Sequence, residues 1–296
     1  MRNKLIKIIS VVLLLLIAVL FLTGCQKKDN QNDNFKIVTS FYPVYIMLLN
    51  LTTGAQNIEL SNMADTNVGC IHDYTLRTED LKKVQDANAF IINGLGLESF
   101  IEKILENNKN INVIDSSEGI TDLIKENDST NPHIWTSTKN YIKQVEVIAN
   151  KLGELNPENK EIYLKNAENY IASINNVKKE YSTKLETLRG KSAICLNESF
   201  EYLGKELGMD FITVKTNHEE STMSAEMLRE LVNQIKEKNI KYIIIDKNDD
   251  TKNAETIQRE TGASIYKLDS GLTGSLSKES YIHALKGNYR ILLGEE

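Results

Sequence analysis

The chain has 296 residues, of which 41% are hydrophobic and 26% charged, and a formal net charge of −6. That balance supports a globular core and excludes a disordered or low-complexity protein. An acidic protein does not suit nucleic acid or an anionic membrane face, but it does suit cations.

The first residues set the address. Arg2, Lys4 and Lys7 precede an apolar run from Ile8 to Phe21, and then comes Leu22-Thr23-Gly24-Cys25. A basic start, a short apolar stretch and small residues at a cleavage point make an export signal. The run is short for a membrane span of about 20 residues. With a cysteine directly after the small residue, it resembles a bacterial lipoprotein signal, in which Cys25 is acylated and becomes the mature N-terminus. Loss of residues 1–24 takes the formal charge from −6 to −9, because Arg2, Lys4 and Lys7 leave with no acid. Residues 25–34 are polar and read as a flexible tether from lipid to domain. The globular body is then expected on the extracytoplasmic face of the cell membrane. Cys70 and Cys195 are the other two cysteines; they are too few for a disulfide framework, and whether they pair stays open.

Beyond the tether, short apolar runs alternate with amphipathic stretches. Strands are predicted at Lys36–Thr39, Ile58–Leu60, Ala89–Ile92 and Asn112–Ile114, and Pro43 suits a helix start. Helices are predicted at Thr78–Val84 and Leu97–Leu105, with the turn Asn93-Gly94 between them. From residue 139 the pattern turns helical. Asn156-Pro157 offers a cap and a first-turn proline. Tyr163, Leu164, Ala167, Tyr170, Ile171, Ile174, Val177, Tyr181, Leu185 and Leu188 then recur at threes and fours. That predicts one apolar face on a helix of about 30 residues, ended by Gly190. The alternation restarts with strands at Ser192–Leu196, Phe211–Val214, Tyr242–Ile245 and Ser264–Leu268. Helices are predicted at Phe200–Leu207, Ser224–Glu237, Asn253–Glu260 and Lys278–Leu292. The expected fold is α/β: a lobe at 35–138, a helical connection at 139–189, and a second lobe at 190–296. Open parallel sheets offer ligand sites at the carboxyl ends of their strands, so the interlobe cleft is the expected site.

The chain has four histidines. His72 lies in Gly69-Cys70-Ile71-His72-Asp73-Tyr74, after the second strand, and His133 in Asn131-Pro132-His133-Ile134-Trp135, before the helical connection. Both are in loops that a bilobed fold brings together, and neutral imidazole is a frequent metal ligand. Cys195-Leu196-Asn197-Glu198-Ser199-Phe200 and Leu268-Asp269-Ser270-Gly271 sit where strands end, again the ligand side of such a sheet. His218 reads as a solvated loop residue and His283 as a structural or exposed residue of the last helix. Nothing resembles His-Glu-x-x-His, and Gly94-x-Gly96 lacks the third glycine of a dinucleotide fingerprint.

From about Lys36 to Leu293 the sequence resembles the cluster A-I (cluster 9) solute-binding lipoproteins of bacterial zinc and manganese ABC importers. Val38-Thr39-Ser40-Phe41-Tyr42-Pro43 looks like that family's opening strand and turn. His72-Asp73-Tyr74 looks like its Pro-His-x-Tyr segment, with Ile71 replacing the proline. Asn93-Gly94-Leu95-Gly96-Leu97-Glu98 is similar to its asparagine–glycine turn, and Asn131-Pro132-His133-Ile134-Trp135 to its Asp-Pro-His-x-Trp motif. Glu220-Ser221 to Leu228, Thr261-Gly262-Ala263 and Tyr281 to Asn288 fit its second half. The resemblance implies metal ligands from four loops: His72, His133 and Asp269, with Asn197 at the remaining place. There zinc members carry His and manganese members Glu. A neutral amide is a weak ligand, so Glu198 next door or a water are alternatives. The implied cargo is Zn2+, with Mn2+ as the alternative. The implied partners are an ABC permease and its ATPase, and the membrane through lipid on Cys25. A monomer without enzymatic activity and without nucleic acid is expected. The long helix should restrain hinge motion. Affinity should fall below about pH 6, since the ligating imidazoles must be neutral. The competing expectation is a metal-independent adhesin, or a degenerate family member that binds another ligand.

Overall fold

The computed structural model describes residues 34–66, 68, 71, 74–126, 129–214 and 223–295. Its first sheet contains β1 (Phe35–Thr39), β2 (Ile58–Asn62), β3 (Ala89–Ile92) and β4 (Asn112–Asp115), in the order β2-β1-β3-β4. All three pairings are parallel. Between these strands run α1 (Tyr42–Leu51), α2 (Thr78–Gln85) and α3 (Ile101–Asn107). Pro43 occupies the first turn of α1, where its missing N–H costs nothing. All four residues of β3 are buried, as a central parallel strand covered on both faces requires.

A two-stranded antiparallel hairpin follows, β5 (Lys125–Glu126) with β6 (Ser129–Thr130). Strands of two residues carry no periodicity, and none was expected there. The helical connection is α4 (Thr138–Leu155) and α5 (Lys160–Leu185). Single 3-10 turns at Pro157–Asn159 and Glu186–Leu188 flank α5, so the long helix stands as the spacing predicts. Its buried face is Tyr163, Ala167, Tyr170, Ile174, Val177, Tyr181 and Leu185. With it α5 packs on α4 and on α1.

The second sheet contains β7 (Ser192–Cys195), β8 (Asp210–Thr213), β9 (Tyr242–Asp246) and β10 (Ser264–Leu268). Its order is β10-β9-β7-β8, again all parallel. Counted from its own first strand, this is the strand order of the first sheet. The helices are α6 (Glu201–Leu207), α7 (Ala225–Lys238), α8 (Lys252–Thr261) and α9 (Ser280–Leu293). Alternation divides the sheet between two cores. Ala193, Cys195 and Ile244 face the main core, while Ile194, Ile243 and Ile245 face a second one with Leu231 and Ile257. Helix α9 returns to the first half and packs on both α5 and α1. Tyr42 Oη donates to Ser275 O at 2.6 Å and Asn50 Nδ2 to Lys278 O at 3.0 Å, so the chain end fastens the two halves.

Helix α3 begins four residues later than predicted. Gly94, Leu95 and Gly96 all have positive φ, and Glu98 folds back onto the Asn93 and Gly94 N–H groups. Residues 97–100 are consumed in that turn, and α3 starts at Ile101 rather than Leu97. Among the described residues no helix is long and apolar enough to cross a membrane. Cys25, Cys70, His72 and His218 lie outside the described residues.

Candidate metal centre

In both sheets the strand order reverses between the two central strands, and loops leaving those strands diverge to make a crevice. In the first sheet this point is closed by Glu98. Its Oε1 accepts from Ser40 Oγ and Asn93 N, both at 2.8 Å, and its Oε2 from Gly94 N at 3.1 Å. Burial pushes the Glu98 carboxyl up to about 7, although all three donors pull the other way. Asn93 extends the network, donating to Pro132 O at 2.9 Å and accepting from Gln144 Nε2 at 3.1 Å. The segment that carries His133 is thereby tied to the end of β3 and to α4.

His133 is 2% exposed. Its backbone N–H and its ring Nδ1 both lie 2.9 Å from Asn131 Oδ1. The amide orientation is fixed from its other end: Asn131 Nδ2 donates to Glu201 Oε2 at 2.9 Å and to Glu198 O at 3.2 Å. A nitrogen that donates twice leaves the oxygen facing His133, and an amide oxygen only accepts. In the neutral ring the proton therefore sits on Nδ1 and the lone pair on Nε2, the arrangement a metal-ligating imidazole needs. A carboxylate of the second half thus sets the tautomer of a histidine in the first.

The same segment reaches across in three more places. Tyr202 Oη donates to Asn131 O at 2.8 Å, and Thr136 Oγ1 to Ser199 O at 2.7 Å. Trp135 Nε1 donates to Ser270 O at 2.8 Å, next to Asp269. The Trp135 ring packs 5.2 Å from the His133 ring and edge-on to Phe41 at 5.1 Å.

In the second sheet the reversal point is closed by Asp249. Its Oδ2 accepts from Asp246 N at 3.1 Å and from Asn197 Nδ2 at 3.0 Å. Asn197 Oδ1 accepts from Ser199 N at 3.0 Å and caps the turn Glu198–Phe200. Both ends of this side chain are engaged in holding the loop. Cys195 is a buried free thiol that donates to Asn197 O at 3.1 Å, and burial pushes it up to about 12. It is too weakly acidic to offer a thiolate.

Asp269 follows β10. Its Oδ1 accepts from Gly271 N at 2.8 Å and its Oδ2 pairs with Lys247 Nζ at 2.7 Å. With Lys247, Tyr42, Trp135 and His283 it lines a cavity of about 390 Å3. The structure therefore brings His133 and Asp269 onto adjoining loops through Trp135 and Ser270, with Asn197 and Glu198 on the next loop. Among the described residues no three His, Cys, Asp or Glu side chains stand close enough to hold one ion; His72, the remaining expected ligand, lies outside them. Sequence reasoning did not single out Glu201, Lys247 or Asp249. In sequence Glu201 is an ordinary acid of a helix first turn, and the other two are ordinary loop charges.

Two parallel sheets of one topology, a long connecting helix and a buried imidazole of fixed tautomer between them define a solute-binding protein of the cluster A-I class. The match is to the ZnuA family, "zinc-uptake complex component A periplasmic", over residues 37–293, and the chain belongs to that family. It is 27% identical over 287 residues to the manganese-binding lipoprotein MntA of Halalkalibacterium halodurans, covering 93% of this chain and 94% of MntA. It is 29% identical over 300 residues to the zinc-binding lipoprotein AdcA of Streptococcus pneumoniae, covering 95% of this chain and 59% of AdcA. The chain thus spans only part of AdcA's length. A crystal structure of ZnuA superposes with a TM-score of 0.76 at 27% identity, covering 88% of this chain and 99% of ZnuA.

Proposed function

We propose that this chain captures a divalent transition-metal cation between its two halves and delivers it to an ABC permease driven by a partner ATPase. Zinc is the favoured cargo and manganese the alternative. The observation that carries the reading is the buried His133 ring, whose Nδ1–H is held by Asn131 so that Nε2 presents its lone pair. The names of the relatives support it: MntA is a manganese-binding and AdcA a zinc-binding lipoprotein. In this reading His72 and His133 bind from the first half and Asp269 from the second. Glu198 or water completes the shell, since Asn197 is engaged with Ser199 and Asp249. Two imidazoles with carboxylate oxygen suit zinc, which also outcompetes manganese at most nitrogen–oxygen sites. Lipid on Cys25 holds the body at the outer face of the membrane. The protein acts as a monomer and turns over no substrate.

Among the described residues the buried core runs from Ile37 to Leu292, so a chain starting after residue 25 contains all of it. The test is metal analysis of that chain with competing zinc and manganese titrations, on the parent and on His133→Ala. One tightly held ion, lost at least about a hundredfold in the variant, is expected. Equal binding by parent and variant would remove His133 from the site. No metal at micromolar concentrations would end the capture reading and favour a degenerate relative with another ligand.

A further inference from the structure

Asp269 is held more firmly than a loop carboxylate needs to be. Its backbone N–H donates to Asn288 Oδ1 at 2.7 Å and its carbonyl accepts from Asn288 Nδ2 at 2.8 Å, a two-point clamp from α9. The side-chain Oδ1 is fixed by Gly271 N. Oδ2 is the oxygen left to face a ligand, and the group it faces is a cation of this same chain. Lys247 Nζ stands 2.7 Å away, with Asp269 24% and Lys247 38% exposed at the side chain.

Lys247 is built differently. Its backbone is anchored, since its N–H donates to Leu268 O at 2.7 Å. Its side chain is a four-carbon stem that borders the cavity shared with Tyr42 and Trp135, which leaves room for the ammonium to swing away. A fixed anion with a movable internal cation is what a displaceable counter-ion looks like. A divalent ion approaching Oδ2 meets that ammonium first. The two cations repel at such distances, so binding requires the ammonium to leave.

We propose that Lys247 is an internal competitor for the Asp269 carboxylate: it occupies Oδ2 in the empty protein and must be displaced for cargo to bind. The inference rests on the capture reading and deepens it by naming a residue that limits affinity. The competition belongs to the empty state, so it weakens every divalent cargo by the same factor and does not select among them. Because the ammonium must leave before cargo enters, its effect falls mainly on the association rate.

The test compares the parent with Lys247→Met, which keeps the stem and loses the charge, and with Lys247→Arg, which keeps the charge. Zinc and manganese affinities are measured by chelator competition, and association by stopped-flow mixing with metal. Lys247→Met is expected to bind both metals about tenfold tighter, by a common factor and with faster association. Lys247→Arg is expected to stay within about threefold of the parent. Thermal unfolding without metal establishes that both variants are folded. Unchanged or weaker binding by folded Lys247→Met overturns the competitor role while leaving capture intact. A gain for one metal only also overturns it. If neither parent nor variants bind any metal, the capture reading fails and the inference falls with it.

Discussion

The two sheets share one strand order and close their reversal points with the same device, yet the devices differ in burial. In the first half Glu98 bridges the ends of β1 and β3 through Ser40, Asn93 and Gly94, and it is 2% exposed. In the second half Asp249 bridges the ends of β7 and β9 through Asn197 and Asp246, and it is exposed. The turn that leaves the central strand differs as well. Gly94 has a φ of +89° and lies against the Asp115 carboxylate, where a β-carbon would overlap it. Its counterpart after β9 is Lys247, with a long side chain directed to Asp269. The first half is a rigid, dehydrated frame for the His133 segment. The second is held by the more exposed Asp249 and by the partly exposed Lys247–Asp269 ion pair. One topology thus supplies a fixed jaw and an adjustable one, and the difference lies in which loops exclude water.

The contrast breaks first at Gly94. Gly94→Ala should destabilise the protein by roughly 3 kcal/mol or more, through strained backbone and overlap with Asp115. Urea unfolding measures it, and a loss under 1 kcal/mol would mean the first jaw yields as easily as the second. Next comes the pH response of Glu98. Its carboxyl lies near 7 in the fold and in the ordinary range when unfolded, so the folded state holds the proton more tightly. This contribution is fully present below the unfolded pKa and is lost as pH rises from about 4.5 to about 7, an effect of the order of 3 kcal/mol. Glu98→Gln should flatten stability across that window whatever its absolute value; an unchanged slope would show that Glu98 does not titrate there. The smallest effect belongs to Asp249. Asp249→Ala should cost about 1 kcal/mol, because water replaces the lost acceptor at an exposed loop. A cost as large as that of Gly94→Ala would erase the distinction between the jaws.

Much of the frame was legible in the sequence because it rests on periodicity. The apolar face from Tyr163 to Leu185 announced α5, and the runs at Ala89–Ile92 and Tyr242–Ile245 announced strands, which the fold places at the centre of the two sheets. The start of α3 was not legible, because Glu98 serves the Asn93–Gly94 turn and the pattern of apolar residues does not record that. At the site, the segment Asn131–Trp135 and the aspartate before Ser270-Gly271 stood out as motifs. Their partners did not. Asn197 meets Asp249 across 52 positions and Lys247 meets Asp269 across 22, joined only because β7, β9 and β10 lie side by side.

The sequence by itself determined the alternation of strands and helices, the long connecting helix and the loops that carry histidine and carboxylate. These follow from local hydrophobic spacing and turn chemistry, which act within a few residues. Only the tertiary structure decided which proton His133 carries, that Asn197 is engaged in holding a loop, and that Lys247 sits on Asp269. Each depends on hydrogen bonds and charges between loops distant in the chain, whose strength is set by the burial that packing creates.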